Sequence, residues 1–415
     1  MLDSFFSLFF SENIQTAWQL IKDYVYVWMP IVLFALFFQL YVRYIRTKWI
    51  INQGWFLLEL RLPKEVRRSP AAMELVLHGL FEPVVGTYLD VFFGGQVRYW
   101  FSLEMVSLGG EVHFYIWGQK AWKNIVETRI YSQYPDAEVV EVEDYALKAH
   151  YDPKTMKMFG AQMSLVKADA YPIKTYIDYG LDKVGDEEEE KIDPLTPVTE
   201  FLGSLRPGEQ CWIQILIQSH RKEGLEDIHF FRTPAWQEGA KKVIQDIIEK
   251  EAFVKSEEGK PPSMLNLTKT QQDTINAIQR SLDKHAYDTM IRVMYFAKKE
   301  DYDSIKGMGL IGSIRQFGSN NLNGIRPKWF TSTGIAYPWQ DFRGIRKAAH
   351  QTELMDAYKR RSFFNIPYKN WNGKAFVMTT EELATIFHPP GTVATTPSLT
   401  RVSSKKGEAP SNLPI

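Results

Sequence analysis

Residues 24–42 read Tyr-Val-Tyr-Val-Trp-Met-Pro-Ile-Val-Leu-Phe-Ala-Leu-Phe-Phe-Gln-Leu-Tyr-Val, a run without a charged side chain. At about 1.5 Å per residue, a helix of this length matches a hydrocarbon core of roughly 30 Å. Trp28, Pro30, Phe34 and Phe38 lie inside the anchor, and aromatic residues sit at both of its ends (Tyr24, Tyr26, Trp28; Tyr41, Tyr44, Trp49), where amphipathic rings favour the headgroup level. Arg43, Arg46 and Lys48 follow the run, whereas Asp3, Glu12 and Asp23 precede it against a single Lys22. A cleaved signal peptide would carry its basic residues in front and a shorter apolar core. A buried core helix is the other alternative, and the length of the run weighs against it. The positive-inside bias gives a single-pass anchor over residues 24–48 in the cytoplasmic membrane, N-terminus outside and the bulk of the chain in the cytoplasm.

Composition bounds the rest. A chain of 415 residues exceeds one ordinary core, so several units are expected. Lys plus Arg and Asp plus Glu both number 49, so no global field draws nucleic acid. Cys211 is the only cysteine, which excludes an intrachain disulfide framework and fits a reducing compartment.

Residues 1–23 carry Ile14, Ala17, Trp18 and Ile21 at helical spacing, an amphipathic extracytoplasmic segment. From Trp55 the pattern is strand-like until Pro63. Ser69-Pro70 then opens a helix whose Met73, Val76, Leu77, Leu80 and Phe81 fall on one face. Residues 97–107 and 111–117 alternate around Gly109-Gly110 as a hairpin, a helix runs from Trp122 to Tyr134, and 137–142 is a strand. That order is βαββαβ over residues 52–150. It recurs over 151–330, with strands at 159–167, 210–219 and 289–297, a helix opened by Thr196-Pro197, and a helix over 301–317 with Ile305, Met308, Ile311 and Ile314 inward. A helical hairpin at 221–287, broken at Gly259–Ser263, is inserted between two of these strands. Residues 331–391 form a basic and aromatic helical segment in which Arg343, Arg346, Lys347, Lys359, Arg360 and Arg361 read as a solvated face. Thr379 and Glu382 form a capping box there. Residues 392–415 are a flexible tail with too little apolar content to fold alone. The fold class is α+β: an N-terminal transmembrane helix followed by two tandem ferredoxin-like (βαββαβ) units, with a helical insertion in the second.

The chain offers little chemistry. No Gly-x4-Gly-Lys-Ser/Thr cradles a phosphate, and Gly307-Met-Gly-Leu-Ile-Gly312 spells GxGxxG inside a helix rather than in a turn after a strand. The acidic run Asp186–Glu190 reads as a solvated loop, because consecutive carboxylates cannot converge on one ion. His220 and His229 lack partners to complete a zinc set, and Cys211 sits in an apolar strand. Neither enzymatic activity nor a cofactor or metal is expected.

Several stretches nevertheless resemble one family. Leu58-Glu-Leu-Arg-Leu-Pro-Lys-Glu65, Ile130–Asp144 (IYSQYPDAEVVEVED), Asn321–Gly324, Glu381–His388 and Gly407–Pro414 resemble the membrane-anchored N-terminal region of conjugation-type (type IV secretion) ATPases of the TraC and HerA-like superfamily, as found in candidate-phylum bacteria. The resemblance implies a platform that docks a P-loop ATPase or other secretion-system subunits at the membrane. The motor that follows in that family is missing before Ile415, so ATP hydrolysis is not carried over to any residue. The expected product is a non-enzymatic adaptor that assembles as an oligomer, with Lys405, Lys406, Asn412 and Pro414 of the tail as docking residues. The alternative is a membrane-tethered module binding single-stranded nucleic acid through Tyr99 and Phe101 (with Arg98), or His113 and Tyr115, on open sheet faces.

The charge asymmetry makes a topology test direct. A reporter fused after Ile415 is expected to be active only in the cytoplasm, and replacing Arg43, Arg46 and Lys48 by Glu should weaken or invert that bias. A C-terminal reporter active outside the membrane would overturn the assignment.

Overall fold

Alternating apolar residues build nine antiparallel strands, and helical runs between them cover the resulting sheet. The computed structural model describes residues 12–63, 68–182, 193–221, 236–253, 267–335, 337–365, 374–390 and 401–402. In chain order the first elements are α1 (Glu12–Asp23), α2 (Val25–Asn52), β1 (Trp55–Pro63), α3 (Ala71–Gly79) and α4 (Tyr88–Phe92). There follow β2 (Trp100–Leu108), β3 (Glu111–Gln119), α5 (Lys123–Gln133), β4 (Glu138–Glu141), α6 (Tyr145–Lys148) and β5 (Met156–Leu165). The middle of the chain supplies α7 (Thr196–Gly203), β6 (Glu209–Ser219), α8 (Trp236–Phe253), α9 (Lys269–Leu282) and β7 (Ala286–Lys298). The last elements are α10 (Ser304–Arg315), β8 (Ile325–Phe330), α11 (Ile345–Lys359), β9 (Phe376–Thr379), α12 (Thr380–Ile386) and β10 (Arg401–Val402).

The chain divides into two compact units, Met1–Asn52 with Gly86–Val97, and Gln53–Val85 with Arg98–Ile415. The first holds α1, α2 and α4. α2 is long and apolar enough to cross a membrane, and almost none of its most apolar window is buried, 6%. Pro30 lies near its N-terminal end and has no N–H to give the carbonyl four residues back.

The second unit holds the sheet. Strands run in the order β1-β3-β2-β6-β7-β5-β8, with β4 also on β1, β9 on β7, and β10 parallel to the end of β1. Pairing in the first half is β4-β1-β3-β2, and in the second β8-β5-β7-β6. The halves do not close separately. β2 and β6 pair along their whole length, from Trp100 opposite Gln218 to Leu108 opposite Gln210, and make one continuous sheet.

One sheet face (Phe56, Leu58, Leu60, Leu103, Met105, Ile213, Ile215, Ile291, Val293) shares a core with α3, α5, α7, α10 and α12. On α3 and its C-cap, Met73, Val76, Leu77 and Leu80 are all buried to within 1% of full burial, as their spacing requires. The capping box of α12 is formed: Thr379 N–H and Oγ1–H donate to Glu382, and Glu382 N–H donates back to Thr379 Oγ1. In the insertion, α8 and α9 pack through Ala240, Ile278 and Leu282 with Val243, Ile244 and Ile247.

The inward face of α10 differs from the one its sequence suggests. Ile305 is 75% exposed and Met308 60%, while Gly307, Leu310, Ile311 and Ile314 are buried. Gly307 sets this rotation: a Cβ there would lie 2.6 Å from Phe159 Cγ, so the helix turns its smallest residue to that ring. Apolar residues on both sides of α10 leave its hydrophobic periodicity undecided, and close packing decides. The GxGxxG match is thus accounted for in part by packing, with Gly309 likewise against Phe201.

The two isoleucines of α10 provide the check. Ile311→Ala is expected to cost about 2–4 kcal/mol in urea unfolding, and Ile305→Ala less than about 0.5. Equal losses would mean the helix is turned the other way.

Candidate functional site

The second sheet face is also covered, and by polar chemistry. A row of side chains crosses six strands in register: Glu59, Tyr115, Glu104, Gln214, Arg292 and Gln162 stand opposite one another from β1 to β5. All are buried, Glu104, Gln214 and Arg292 completely. α11 ends over the middle of this row. The last carbonyls of a helix have no partner inside it, and here the sheet supplies them. Gln214 Nε2–H donates to Tyr358 O at 3.2 Å, and Arg292 donates to Ala357 O at 3.2 Å and to Ser362 O. A cation at a helix C-terminus is also favoured by the helix dipole. Burial without a facing carboxylate pushes the Arg292 guanidinium down to about 9.

The clamp closes at Arg361. Its Nε–H and Nη2–H donate to Glu104 at 3.0 and 3.1 Å, and Nη2–H donates to Asp144 at 2.9 Å, with a further bond from Nη1. Glu104 accepts in addition from Ser102, Tyr145 and Gln214. The backbone around Arg361 forms a Schellman ending: Ser362 N–H reaches Ala357 O and Arg361 N–H reaches Tyr358 O. That motif places Arg361 at φ +46°, a left-handed position normally taken by glycine. The expected solvated face therefore holds for the exposed Arg343 and Arg360, but Arg361 is a core residue at 1% exposure.

The other end of α11, with the residues that lead into it, faces solvent. Tyr337, Trp339, Phe342 and Ile345 are 55–77% exposed in sequence succession. Tyr337 and Trp339 stack at 4.7 Å, and the Arg343 guanidinium lies 5.0 Å over the Phe342 ring. Arg343 and Gly344 both adopt left-handed conformations, at φ +59° and +74°. Asp341 then caps α11 by accepting from Arg346 and Lys347 N–H. This aromatic and basic stretch is the candidate contact surface of the second unit. The sequence marks this segment as basic and aromatic, but the exposure of these four apolar side chains is a tertiary property.

Of the predicted anchor residues, Trp28, Phe34, Arg43 and Lys48 are exposed, Phe34 at 67%, and Phe38 and Arg46 are partly covered. Trp28 Nε1–H donates to Ile21 O at 2.8 Å. Lys405, Lys406, Asn412 and Pro414 lie outside the described residues, as do Asp186–Glu190, His229 and Gly259–Ser263. The aromatics named for nucleic acid are taken up in the protein. Phe101 and Tyr115 are buried, Tyr99 packs edge-on against Trp122, Arg98 pairs with Asp288, and His113 with Glu59. His220 also pairs with Asp288, and Cys211 is buried. Among the described residues, no group of three or more His, Cys, Asp or Glu could hold a metal ion.

Asn323 and the stretch Glu381–His388 are tied into the interior. Asn323 is fully buried and holds the turn at 167–171, accepting from Lys167 N–H and donating to Ala168 O and Tyr171 O. Glu381 pairs with Arg280 at 3.0 Å and accepts from Thr175, while His388 bridges Ala384 O and Asp193. Burial pushes the Glu382 carboxyl up to about 7, outweighing the donors of Thr379 and Ile173.

The model of a family described as a domain of unknown function (DUF8128) matches residues 53–401, and the chain belongs to that family. No curated protein matches the sequence.

Two measurements test this part of the molecule. Arg361→Ala should cost about 3–5 kcal/mol, because it leaves Glu104 buried and short of its partner. Arg361→Gly should cost about 1 kcal/mol less, since glycine relieves the left-handed backbone. Equal stability of the two variants would remove the strain argument. The second concerns pH. A carboxyl raised in the folded state binds its proton more tightly there, so its contribution is full below about 4.5 and is lost as pH rises through about 7. From pH 5 to 8 the protein should lose up to about 3 kcal/mol relative to Glu382→Gln; parallel profiles would show that Glu382 does not titrate in this window.

Proposed function

We propose, for this member of the DUF8128 family, the role of a non-enzymatic adaptor. α2 spans the cytoplasmic membrane with the N-terminus outside, and the sheet unit docks a separate P-loop ATPase or related subunit of a type IV secretion-like machinery. The observation that carries the reading is the exposed run Tyr337, Trp339, Phe342 and Ile345, with Arg343 beside it, leading into a helix whose other end is pinned to the sheet by buried arginines. Exposed aromatics with arginine on a rigid support are the residue types that dominate protein interfaces. The length and exposure of α2 support the anchor, and the sequence resemblance supports the choice of partner. In this reading the sheet is two ferredoxin-like modules fused through β2 and β6, supported by the equivalent strand pairing of each half.

A second reading rests on the same surface. Aromatic rings beside arginine also form stacking platforms for single-stranded nucleic acid. Both are tested on detergent-solubilised full-length protein with Trp339→Ala and Phe342→Ala, whose side chains are 77% and 70% exposed and outside the core. Under the adaptor reading, each variant should weaken binding of a co-encoded P-loop ATPase by about tenfold or more. Unchanged ATPase binding by both, with loss of binding to a single-stranded oligonucleotide, would replace the adaptor by the nucleic-acid module.

A further inference from the structure

Residues 86–97, Gly-Thr-Tyr-Leu-Asp-Val-Phe-Phe-Gly-Gly-Gln-Val, belong to the same compact unit as α2 although the chain between them builds β1 and α3. They contain one charged side chain, Asp90, whose carboxylate is held by its own turn. Its Oδ2 accepts from Thr87 N–H at 2.8 Å and from Thr87 Oγ1–H at 2.7 Å, closing a capping box on α4. The outward surface is apolar: Tyr88, Leu89 and Phe93 are 58%, 69% and 67% exposed. Phe92 lies against α2, its ring 5.7 Å from Phe38, and Tyr88 stacks on Phe92. Gly95, at φ +72°, brings the backbone onto the same helix; a Cβ there would lie 2.5 Å from Ile45 O.

These two contacts give the segment a direction along α2. From Ile45 to Phe38 is two helical turns, about 10 Å. Ile45 lies among Arg43, Arg46 and Lys48, and Phe38 lies inside the uncharged run. The segment therefore reaches from the basic end of the span toward its apolar part, with its aromatic tip at the deeper level. Interfacial helices sit about 5–10 Å into the headgroup and acyl boundary with large apolar residues downward.

We infer that residues 86–97 form a second membrane contact, with α4 embedded in the lipid beside α2 and Tyr88, Leu89 and Phe93 against acyl chains. The occupant is the bilayer because the exposed Phe34 of α2 stacks on Phe38, Phe38 meets Phe92 and Phe92 meets the exposed Tyr88, so the aromatic row of α2 runs on into α4. The inference rests on α2 being a membrane span. A helix held to lipid at two places along its length cannot roll freely about its own axis, which a lone span can do.

The test uses full-length protein in phosphatidylcholine–phosphatidylglycerol vesicles whose acyl chains carry a nitroxide quencher. An environment-sensitive fluorophore is attached in turn to Leu89→Cys, Phe93→Cys, Phe34→Cys and Ile305→Cys. All four positions are at least 67% exposed, so none disturbs the core, and the one native thiol, Cys211, is buried and raised in pKa by that burial. Quenching at 89 and 93 is expected within about twofold of that at the span position 34 and well above that at 305. Quenching at 34 with none beyond the 305 level at 89 and 93 overturns the second contact and leaves the anchor standing. An unquenched label at 34 overturns the anchor, and the second contact with it.

Discussion

The ion pair between Arg361 and Glu104 is the interaction on which the second unit turns. The two residues lie 257 positions apart in the chain and meet at full burial, with Asp144 completing the arginine's partners. A buried pair gives little net stability over a hydrophobic substitute, but removing one partner leaves a charge that the interior cannot solvate. The pair therefore selects one arrangement among the many that would bury the same apolar area. It joins β2, the loop before α6 and the end of α11, and it holds Arg361 in a backbone conformation that glycine would adopt more easily.

The polar row beneath that clamp has a similar logic. A helix that ends over a sheet must find donors for its last carbonyls, and an apolar sheet face offers none. Gln214 and Arg292 stand opposite each other on β6 and β7 and supply them from within the sheet. Because β6 is the strand that joins the two halves, the site that receives α11 exists only once the sheet is continuous. Trp212, on the same face, fills the remaining space against Tyr145, Phe296 and Tyr358.

Covering both faces has a functional consequence. Side chains that would make a sheet a binding surface, such as Phe101 and Tyr115, are spent on the core. Among the described residues, exposed apolar side chains gather at the approach to α11 in the second unit and on α2 and α4 in the first. Asn323 and Glu381–His388 are buried, whereas most of Ile130–Asp144 is exposed or only partly covered.

The sequence by itself determined the local elements. An uncharged apolar run defined α2, a 3.6-residue period defined the buried face of α3, Ser/Thr-Pro pairs marked helix starts, and Thr379 with Glu382 marked the cap of α12. These features depend on residues within a turn or two of each other, and their physics is local. Tertiary structure alone decided that β2 and β6 would join, that Arg361 would be buried while its neighbour Arg360 faces solvent, and that α10 would turn Ile305 outward. It also decided that the short segment 86–97, unremarkable in a scan for periodicity, would return to α2. An arginine is written the same way whether it meets water or a carboxylate from a distant strand, and Gly307 shows its value only against Phe159. Contacts of that kind are set by which distant surfaces fit together, and no window along the chain contains both sides.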